Sequence, residues 1–276
     1  MDDFFQTQEL IRNFEPAFTP EVTRKRLLII GLGGNGTHLA LGAVRMGFAE
    51  VVGVDRDVVS PSNLSRQALY TRADVGRSKA DAAAEALDHH NLRSRVTTHH
   101  LDILAERRRF GDMVRAADLV FPVVDQPSTT FFAADTCFRL GKPAVLGGTC
   151  VLSGLSTRVA WMDGVGPPCL NCLTPTHTDM AEWVRFFRYE EGGADPVRTP
   201  GVDRVEALLS LPGGHPSTYP TACAGAQLML ALAVAYLMGR RDMPRLSELC
   251  LLPLALESRA LPPRPNCPTC STRLPG

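Results

Sequence analysis

The feature that most constrains this chain is a cluster of glycines between a short apolar run and a helical pattern. Leu27 to Ile30 form a continuous apolar segment, which is typical of a parallel strand that is buried on both faces. A helical pattern then runs from Gly34 to Gly47. This order predicts a tight turn in which a phosphate can approach the backbone at the N-terminus of a helix. The glycines of the turn are Gly31, Gly33, Gly34 and Gly36.

An acidic residue follows this turn at a distance that suggests a nucleotide site. Val51 to Val54 form a second apolar strand, and Asp55 ends it. A carboxylate about 20 residues after the glycines, at the end of the second strand, binds the ribose hydroxyls in dinucleotide folds. Glycines used only for close packing of the helix on the strand are the structural alternative. The combined pattern predicts a nucleotide site, but it does not distinguish NAD from ATP.

Strands and helices alternate through the first half of the chain, which predicts an α/β fold. Right-handed crossovers between such strands give a doubly wound, Rossmann-like and mostly parallel sheet. Residues 153–162 alternate in polarity instead, so antiparallel strands are expected to extend the sheet. The further predicted elements are helices 79–90, 105–117, 128–140 and 222–238, and strands 95–100, 119–124, 144–146 and 249–254.

No linker divides the 276 residues, so a single domain is expected. Residues 1–26 form a mixed N-terminal arm, and residues 27–276 form the domain. Within the domain, the stretch 173–220 is rich in proline and glycine and is expected to be a long crossover loop, because loops of such length are commonly functional. Residues 267–276 form a short tail.

Two ordered motifs follow the glycine turn. Residues 55–67 read D-R-D-V-V-S-P-S-N-L-S-R-Q, and residues 75–79 read V-G-R-S-K. They resemble the signatures of the ThiF/MoeB/HesA adenylating enzymes, a family that also provides the adenylation core of ubiquitin-activating enzymes. The resemblance runs from Leu27 to about Gly148, and it resumes at two cysteine pairs and at helix 222–238. It implies a Rossmann-like adenylation domain that uses ATP.

The basic residues of these motifs favour ATP chemistry over hydride transfer. When a carboxylate attacks the α-phosphate of ATP, negative charge builds on the phosphoryl oxygens and on the departing pyrophosphate. Fixed cations stabilise that charge through charge-assisted hydrogen bonds. Arg66 and Lys79 are predicted to have this role, and Asn63 is predicted to orient a phosphate. The resemblance assigns Asp57 to the same site. Taken singly, Arg66 and Lys79 could be solvated surface charges.

A further acidic residue, Asp125, follows the fourth predicted strand. It lies at the carboxyl edge, where doubly wound sheets bind ligands. The resemblance implies that Asp125 binds Mg²⁺, a cation that favours one carboxylate together with phosphate oxygens. The sequence departs from the family pattern beside it. Gln126 replaces the usual Asn, and Thr130 stands where an Arg is common.

Four of the eight cysteines form two Cys-x-x-Cys pairs in proline-rich segments. Two such pairs can bind one Zn²⁺ in a closed tetrahedral site with a structural role. A redox pair is the alternative, but a thioredoxin-like motif would open a helix after a strand. The resemblance implies the same zinc site. The predicted ligands are Cys169, Cys172, Cys267 and Cys270.

Charge and hydrophobicity limit the partners of the chain. The 29 basic and 29 acidic residues cancel, which argues against nucleic acid or an anionic membrane as a partner. The first 25 residues are polar, so no secretory signal is expected. The apolar stretch 222–238 is short for a membrane span and is interpreted as a buried helix. Because the paired cysteines suit a metal better than disulfides, a cytoplasmic location is expected.

These observations combine into one hypothesis. The chain is expected to be a homodimeric enzyme that uses ATP to adenylate a carboxylate and releases pyrophosphate. The resemblance makes that carboxylate the C-terminal glycine of a small ubiquitin-like or sulfur-carrier protein. Two alternatives stay open. An NAD-binding oxidoreductase would leave Arg66 and Lys79 unexplained, whereas a non-catalytic ThiF-like nucleotide-binding module is favoured by Gln126 and Thr130.

Overall fold

Eight strands form one sheet in the computed structural model, which describes residues 6–13, 15, 24–149, 155–173, 216–260, 262, 267 and 270. In chain order the strands are β1 (Arg26–Ile30), β2 (Glu50–Asp55), β3 (Arg95–His100), β4 (Leu119–Pro122), β5 (Ala144–Thr149), β6 (Ser156–Met162), β7 (Leu246–Leu251) and β8 (Leu254–Arg259). Their order across the sheet is β3-β2-β1-β4-β5-β6-β7-β8.

Helices connect most of these strands in the described part of the chain. The α-helices are α1 (Gln6–Glu9), α2 (Gly34–Met46), α3 (Lys79–His90), α4 (Arg107–Ala116), α5 (Pro127–Arg139), α6 (Leu170–Leu173) and α7 (Tyr219–Leu237). Short 3-10 helices cover Leu10–Asn13, Pro61–Asn63 and Arg72–Asp74.

The sheet has a parallel half and an antiparallel half. β1 pairs in parallel with β2 and β4, β3 joins β2 in parallel, and β5 joins β4 in parallel. β6, β7 and β8 extend the sheet by antiparallel pairing. The predicted doubly wound, mostly parallel sheet with an antiparallel extension is therefore confirmed. The strand order reverses between β1 and β4, and the crevice at such a point is where open α/β sheets bind ligands.

Helices cover both faces of the sheet. One apolar layer packs α2, α3 and α7 against one face, and a second layer packs α4 and α5 against the other. β1 contributes to both layers, because Leu27 and Ile29 belong to the first and Leu28 and Ile30 to the second. All four side chains are buried, as the continuous apolar run predicts.

α7 covers β5 and β6 and packs closely on them. A methyl group on Gly147 would lie 2.6 Å from the sulfur of Met229, and one on Gly225 would lie 2.5 Å from the hydroxyl oxygen of Thr157. By length and composition alone α7 could cross a membrane, and no other helix in the described residues could. Half of its apolar window is buried inside the protein, so the helix also has the character of a core helix.

The prediction of one strand at residues 249–254 is wrong. The structure has a hairpin there, in which β7 ends at Leu251 and β8 begins at Leu254. Pro253 lies in the turn between them, and proline cannot donate a hydrogen bond to a β-ladder, so the apolar run breaks at this point. The side chains of β8 are exposed, so this strand lacked the buried pattern that would have revealed it.

Other predicted boundaries shift by a few residues. The helix predicted at 222–238 begins earlier because Thr218 caps it, with its hydroxyl oxygen accepting a hydrogen bond from the N–H of Thr221 at 3.3 Å. β4 ends at Pro122, before the predicted end of that strand. Residues 153 and 154, most of the predicted loop 173–220 and most of the predicted tail 267–276 lie outside the described residues.

Candidate functional site

The glycine turn joins β1 to α2 and needs glycine at two positions. Gly31 has a φ of +95°, a left-handed conformation that L side chains rarely adopt. A methyl group there would also lie 2.9 Å from Val124 Cγ1. At Gly36 a methyl group would overlap the carbonyl oxygen of Gly31. Close packing therefore explains Gly31 and Gly36, whereas Gly33 has room for a methyl group and needs another explanation.

The N-terminus of α2 offers a surface for an anion. Its capping residue Gly33 has no side chain, and no acidic residue lies in the first turn. The first N–H groups of a helix lack partners within the helix and carry a partial positive charge. The stem of Arg66 lies over this terminus, 3.8 Å from where a methyl group on Gly34 would be. A phosphate suits this combination of backbone donors and a guanidinium group.

Asp55 ties two turns together at the end of β2. One carboxylate oxygen accepts a hydrogen bond from the N–H of Leu32 at 2.7 Å, and the other accepts from the N–H of Asp57 at 2.8 Å. Burial raises the pKa of the Asp55 carboxyl, and the positive charge of Lys79 opposes that rise. Asp55 thus fixes the glycine turn against the next loop, and each oxygen keeps a lone pair with which to accept from a ribose hydroxyl.

Lys79 begins α3 with its side chain buried beside the same loop. Its Nζ donates to Asp57 Oδ2 at 3.0 Å, and its backbone N–H donates to the carbonyl of Asp57 at 2.9 Å. Lys79 is 7% exposed, whereas the side chain of Asp57 is 55% exposed. Ser78 caps α3 by accepting from the N–H of Asp81. The ammonium group is therefore held at the edge of the site by a carboxylate that solvent reaches.

Asn63 and Arg66 lie on the loop that follows β2. Asn63 Oδ1 accepts a hydrogen bond from the N–H of Ser60 at 3.0 Å, as part of a capping box. Arg66 Nη1 donates to the carbonyl of Ser62 at 3.0 Å, and Arg66 is half-buried. The amide oxygen of Asn63 is thus already hydrogen-bonded within the loop. The predicted contact with a phosphate therefore has to come from the NH₂ group of Asn63.

Asp125 follows β4 beside the glycine turn, and its side chain is exposed. The two departures from the family pattern stabilise the start of α5, immediately after it. Gln126 Oε1 accepts a hydrogen bond from Thr129 Oγ1 at 2.9 Å, and Thr130 Oγ1 donates to the carbonyl of Val124 at 3.0 Å. Thr130 therefore bonds to the local backbone and Gln126 to a neighbouring side chain, and the Asp125 carboxylate stays exposed at the carboxyl edge of the sheet.

Arg56 is a further candidate residue of the site, and no motif in the sequence indicates it. Its Nη1 donates to Asp102 Oδ2 at 2.9 Å, and its Nη2 donates to Gln126 Oε1 at 2.9 Å. Because β1 lies between β2 and β4, the bond to Gln126 crosses the carboxyl edge above the glycine turn. The hydrogen bond to Asp102 raises the pKa of Arg56. In the sequence, an arginine between two aspartates is indistinguishable from a solvated charge.

Two buried polar side chains beside the site also lacked a sequence signal. Tyr70 packs in the first apolar layer, and its hydroxyl donates to the carbonyl of Leu32 at 2.8 Å. His38 lies on α2, with its ring edge-on to that of Tyr219 at a centroid distance of 4.7 Å. Burial lowers the pKa of His38, so its ring is neutral at pH 7. Neither residue belongs to a motif, so the sequence pattern does not separate them from the core.

The four predicted cysteines form one cluster. Cys169 Sγ lies 3.6 Å from Cys267 Sγ and 3.9 Å from Cys172 Sγ, and Cys172 Sγ lies 3.6 Å from Cys270 Sγ. Four thiolates around one Zn²⁺ at about 2.3 Å have sulfur–sulfur distances of roughly 3.8 Å. A disulfide needs a sulfur–sulfur distance of about 2.05 Å. The cluster therefore fits a tetrahedral metal ion and does not fit disulfides.

Most of the chain is similar in sequence to known proteins. A sequence model described as the ThiF family matches residues 5–269. The protein named adenylyltransferase and sulfurtransferase MOCS3 from Anopheles gambiae is 31% identical over 156 residues, which are 56% of this chain and 34% of that protein. The Arabidopsis thaliana protein of the same name is 29% identical over 175 residues, which are 62% of this chain and 36% of that protein. The chain spans about a third of the length of these curated relatives.

Solved structures share the fold at low sequence identity. Escherichia coli MccB superposes with a TM-score of 0.75 and 17% identity, over 98% of this chain and 75% of that one. PaaA superposes with a TM-score of 0.70 and 18% identity, over 94% of this chain and 82% of that one. These matches show a common fold.

Proposed function

This chain belongs to the ThiF family, and we propose that it is an ATP-dependent adenylyltransferase that activates a carboxylate. The observation that carries the proposal is the arrangement of Arg66, Lys79 and Asp55 around the N-terminus of α2. Two fixed cations and a helix terminus suit a triphosphate, and a buried carboxylate beside them suits a ribose. An NAD-binding oxidoreductase would have no use for the two cations.

The proposed reaction places each cation where charge develops. A substrate carboxylate oxygen attacks the α-phosphorus of ATP, the acyl–adenylate forms, and pyrophosphate leaves. Arg66 lies over the end of α2, so its guanidinium can donate to the phosphates bound there. Lys79 can exchange Asp57 for a phosphate oxygen, because that carboxylate is exposed and can be solvated instead. Charge-assisted bonds of this kind strengthen as negative charge grows in the transition state.

Asp125 is the residue proposed to hold Mg²⁺. A magnesium ion in such sites binds one carboxylate together with phosphate oxygens, and it neutralises part of the phosphate charge. The exposed carboxylate at the carboxyl edge, beside the glycine turn, fits this donor set.

The C-terminal glycine of a small ubiquitin-like carrier protein is the substrate that we propose. In support, the curated relatives are named adenylyltransferase and sulfurtransferase, and MccB has been solved in complex with N-formylated MccA. The carrier tail would pass under the loop 173–220 toward Asp125. Most of that loop lies outside the described residues, so this path remains a prediction.

The cysteine cluster is proposed to hold one Zn²⁺ in a structural role. All four positions of a tetrahedron are filled by sulfur, which leaves no position for a substrate or a water molecule. We further propose that the protein is a cytoplasmic homodimer, as expected from the sequence.

Exchange of labelled pyrophosphate into ATP tests the proposed activity. We expect exchange in the presence of a carrier that ends in glycine and none with the same carrier lacking that glycine. The second candidate function is a nucleotide-binding module without catalysis, which Gln126 and Thr130 favour because they depart from the Asn and the Arg that are common in the family. ATP binding in calorimetry together with exchange at background level, for every carrier that ends in glycine, would establish the second candidate instead.

A further inference from the structure

The hydroxyl of Tyr70 lies between the glycine turn and the start of α3. It donates to the carbonyl of Leu32 at 2.8 Å and lies 3.2 Å from the carbonyl of Lys79. Tyr70 is 6% exposed, and burial raises the pKa of its hydroxyl, so the group stays protonated and remains a donor. A single buried proton is therefore shared between the two backbone segments that carry the proposed phosphate contacts.

Both segments continue into the carboxylates of the site. Leu32 donates its N–H to Asp55 Oδ2 at 2.7 Å, so the peptide groups on both sides of Leu32 are fixed. Lys79 is bonded to Asp57 through its backbone N–H at 2.9 Å and through Nζ at 3.0 Å. Tyr70 thus joins two hydrogen-bonded arms, one that ends at the ribose position and one that ends at the ammonium group.

The ring and the hydroxyl of Tyr70 have separate tasks. The ring belongs to the first apolar layer, and phenylalanine would fill that space equally well. Only the hydroxyl reaches the polar edge. Without it, the carbonyl of Leu32 would lose this donor and the carbonyl of Lys79 would keep only its bond within α3, so the hydrogen-bonded link between the two segments would be lost.

We infer that Tyr70 is a positioning residue, which sets the distance between the glycine turn and the ammonium group of Lys79. The inference rests on the proposed function, because the relevant distance is the one across the nucleotide phosphates. A small displacement of a fixed cation costs little in ground-state binding but much in the transition state, where the charge is largest.

Tyr70→Phe separates this role from packing. We expect pyrophosphate exchange to fall in kcat by roughly 10-fold or more, while the Kd for ATP from calorimetry changes by less than about threefold. Tyr236→Phe is the matched control, because Tyr236 lies on α7 against Trp161, away from the glycine turn. Val114→Ala controls for stability, because Val114 is fully buried in the second apolar layer. Neither control should lower kcat.

Amide hydrogen exchange gives a readout that does not depend on catalysis. In Tyr70→Phe, protection of the Leu32 and Lys79 amides should fall together, and Tyr236→Phe should leave both unchanged. Unchanged protection, or a loss of kcat no larger than that in Val114→Ala, would overturn the inference. A wild type that binds ATP without any exchange of pyrophosphate would instead refute the proposed function, and the amide protection would then decide about Tyr70 alone.

Discussion

Lys79 is buried, and in the described part of the chain its ammonium group hydrogen-bonds to Asp57 and also interacts with the charge of Asp55. A buried ammonium group is costly unless it is paired, and Asp57 pairs with it at 3.0 Å. The partner is itself more than half exposed, so water can stabilise it when the ammonium group turns toward another anion. The hydrogen-bonded partner of this buried cation is therefore an exposed carboxylate, which water can solvate.

Lys79→Ala and Arg66→Ala should each lower adenylate formation far more than ATP binding. In the proposed reaction both cations stabilise charge that grows as pyrophosphate departs, so losses of roughly 10²–10³ in kcat are expected. Pyrophosphate exchange measures the rate, and calorimetry measures ATP affinity. Arg115→Ala is the control, because Arg115 forms an exposed ion pair with Asp112 on α4, away from the candidate site. Equal losses in rate and affinity would contradict a role specific to the transition state.

Asp55→Ala should weaken ATP binding and lower stability while the fold persists. The ribose loses an acceptor, and the N–H groups of Leu32 and Asp57 lose theirs, at a cost of about 1–3 kcal/mol for each buried group. Calorimetry with ATP and urea denaturation measure the two effects. An unchanged ATP affinity would show that the nucleotide is placed wrongly.

At the scale of elements, the turn between β1 and α2 depends on backbone freedom and on close contact at once. Gly31 combines a positive φ with the nearby side chain of Val124, so β4 and the glycine turn are packed without space between them. This packing brings the end of β4, and with it Asp125, to the edge of the turn.

Gly31→Ala should destabilise the protein more than Gly76→Ala. Gly76 also has a positive φ, at +89°, but a methyl group there meets nothing within 4 Å. The left-handed conformation alone costs about 1–2 kcal/mol for a residue with a side chain, and Gly31→Ala adds a steric overlap to that cost. The free energies of unfolding in urea measure the difference. Equal values for the two variants would show that the turn relaxes away from β4.

Strands and helices with a clear hydrophobic pattern were predictable from the sequence. Elements that are fixed mainly by contacts with distant residues were not. The run Leu27–Ile30 revealed β1, because a strand buried on both faces is apolar without interruption. β8 was not predicted, because this edge strand after Pro253 is exposed and has no buried face that would give a hydrophobic pattern. In the candidate site, ordered motifs predicted roles for Arg66 and Lys79, and these roles stay a prediction. Arg56 and Tyr70 contact residues that are distant in sequence, and no local pattern records such contacts. The division of the chain into an arm of residues 1–26 and a domain of residues 27–276 stays a prediction.

At the scale of the whole molecule, the cysteine cluster joins segments that are far apart in the chain. Cys169 and Cys172 lie at α6, close after β6, and Cys267 and Cys270 follow β8. Phe138 of α5 packs against the cluster, so the metal site also contacts the parallel half of the sheet. A bound metal would therefore connect the antiparallel extension to the rest of the fold.

Purified protein should contain about one zinc per chain, and removing it should lower Tm. The binding free energy of a structural zinc contributes directly to folding, so a strong chelator should destabilise the protein measurably. Elemental analysis and thermal unfolding check both statements. Cys169→Ala should lose the zinc, whereas Cys250→Ser should keep it, because Cys250 lies on β7 outside the cluster. Zinc-free protein with an unchanged Tm would disprove the structural role.

The separation of the two cysteine pairs has a consequence for biosynthesis. Cys169 and Cys267 are 98 positions apart. At a translation rate of 5–20 residues per second, the first pair leaves the ribosome about 5 to 20 seconds before the second. During that interval the nascent chain carries two thiols without the ligands that complete their site, and oxidation could join them in the wrong bond. If the cluster binds zinc as proposed, metal loading is a late step in maturation, and a chain that holds zinc is one whose distant segments are already in contact.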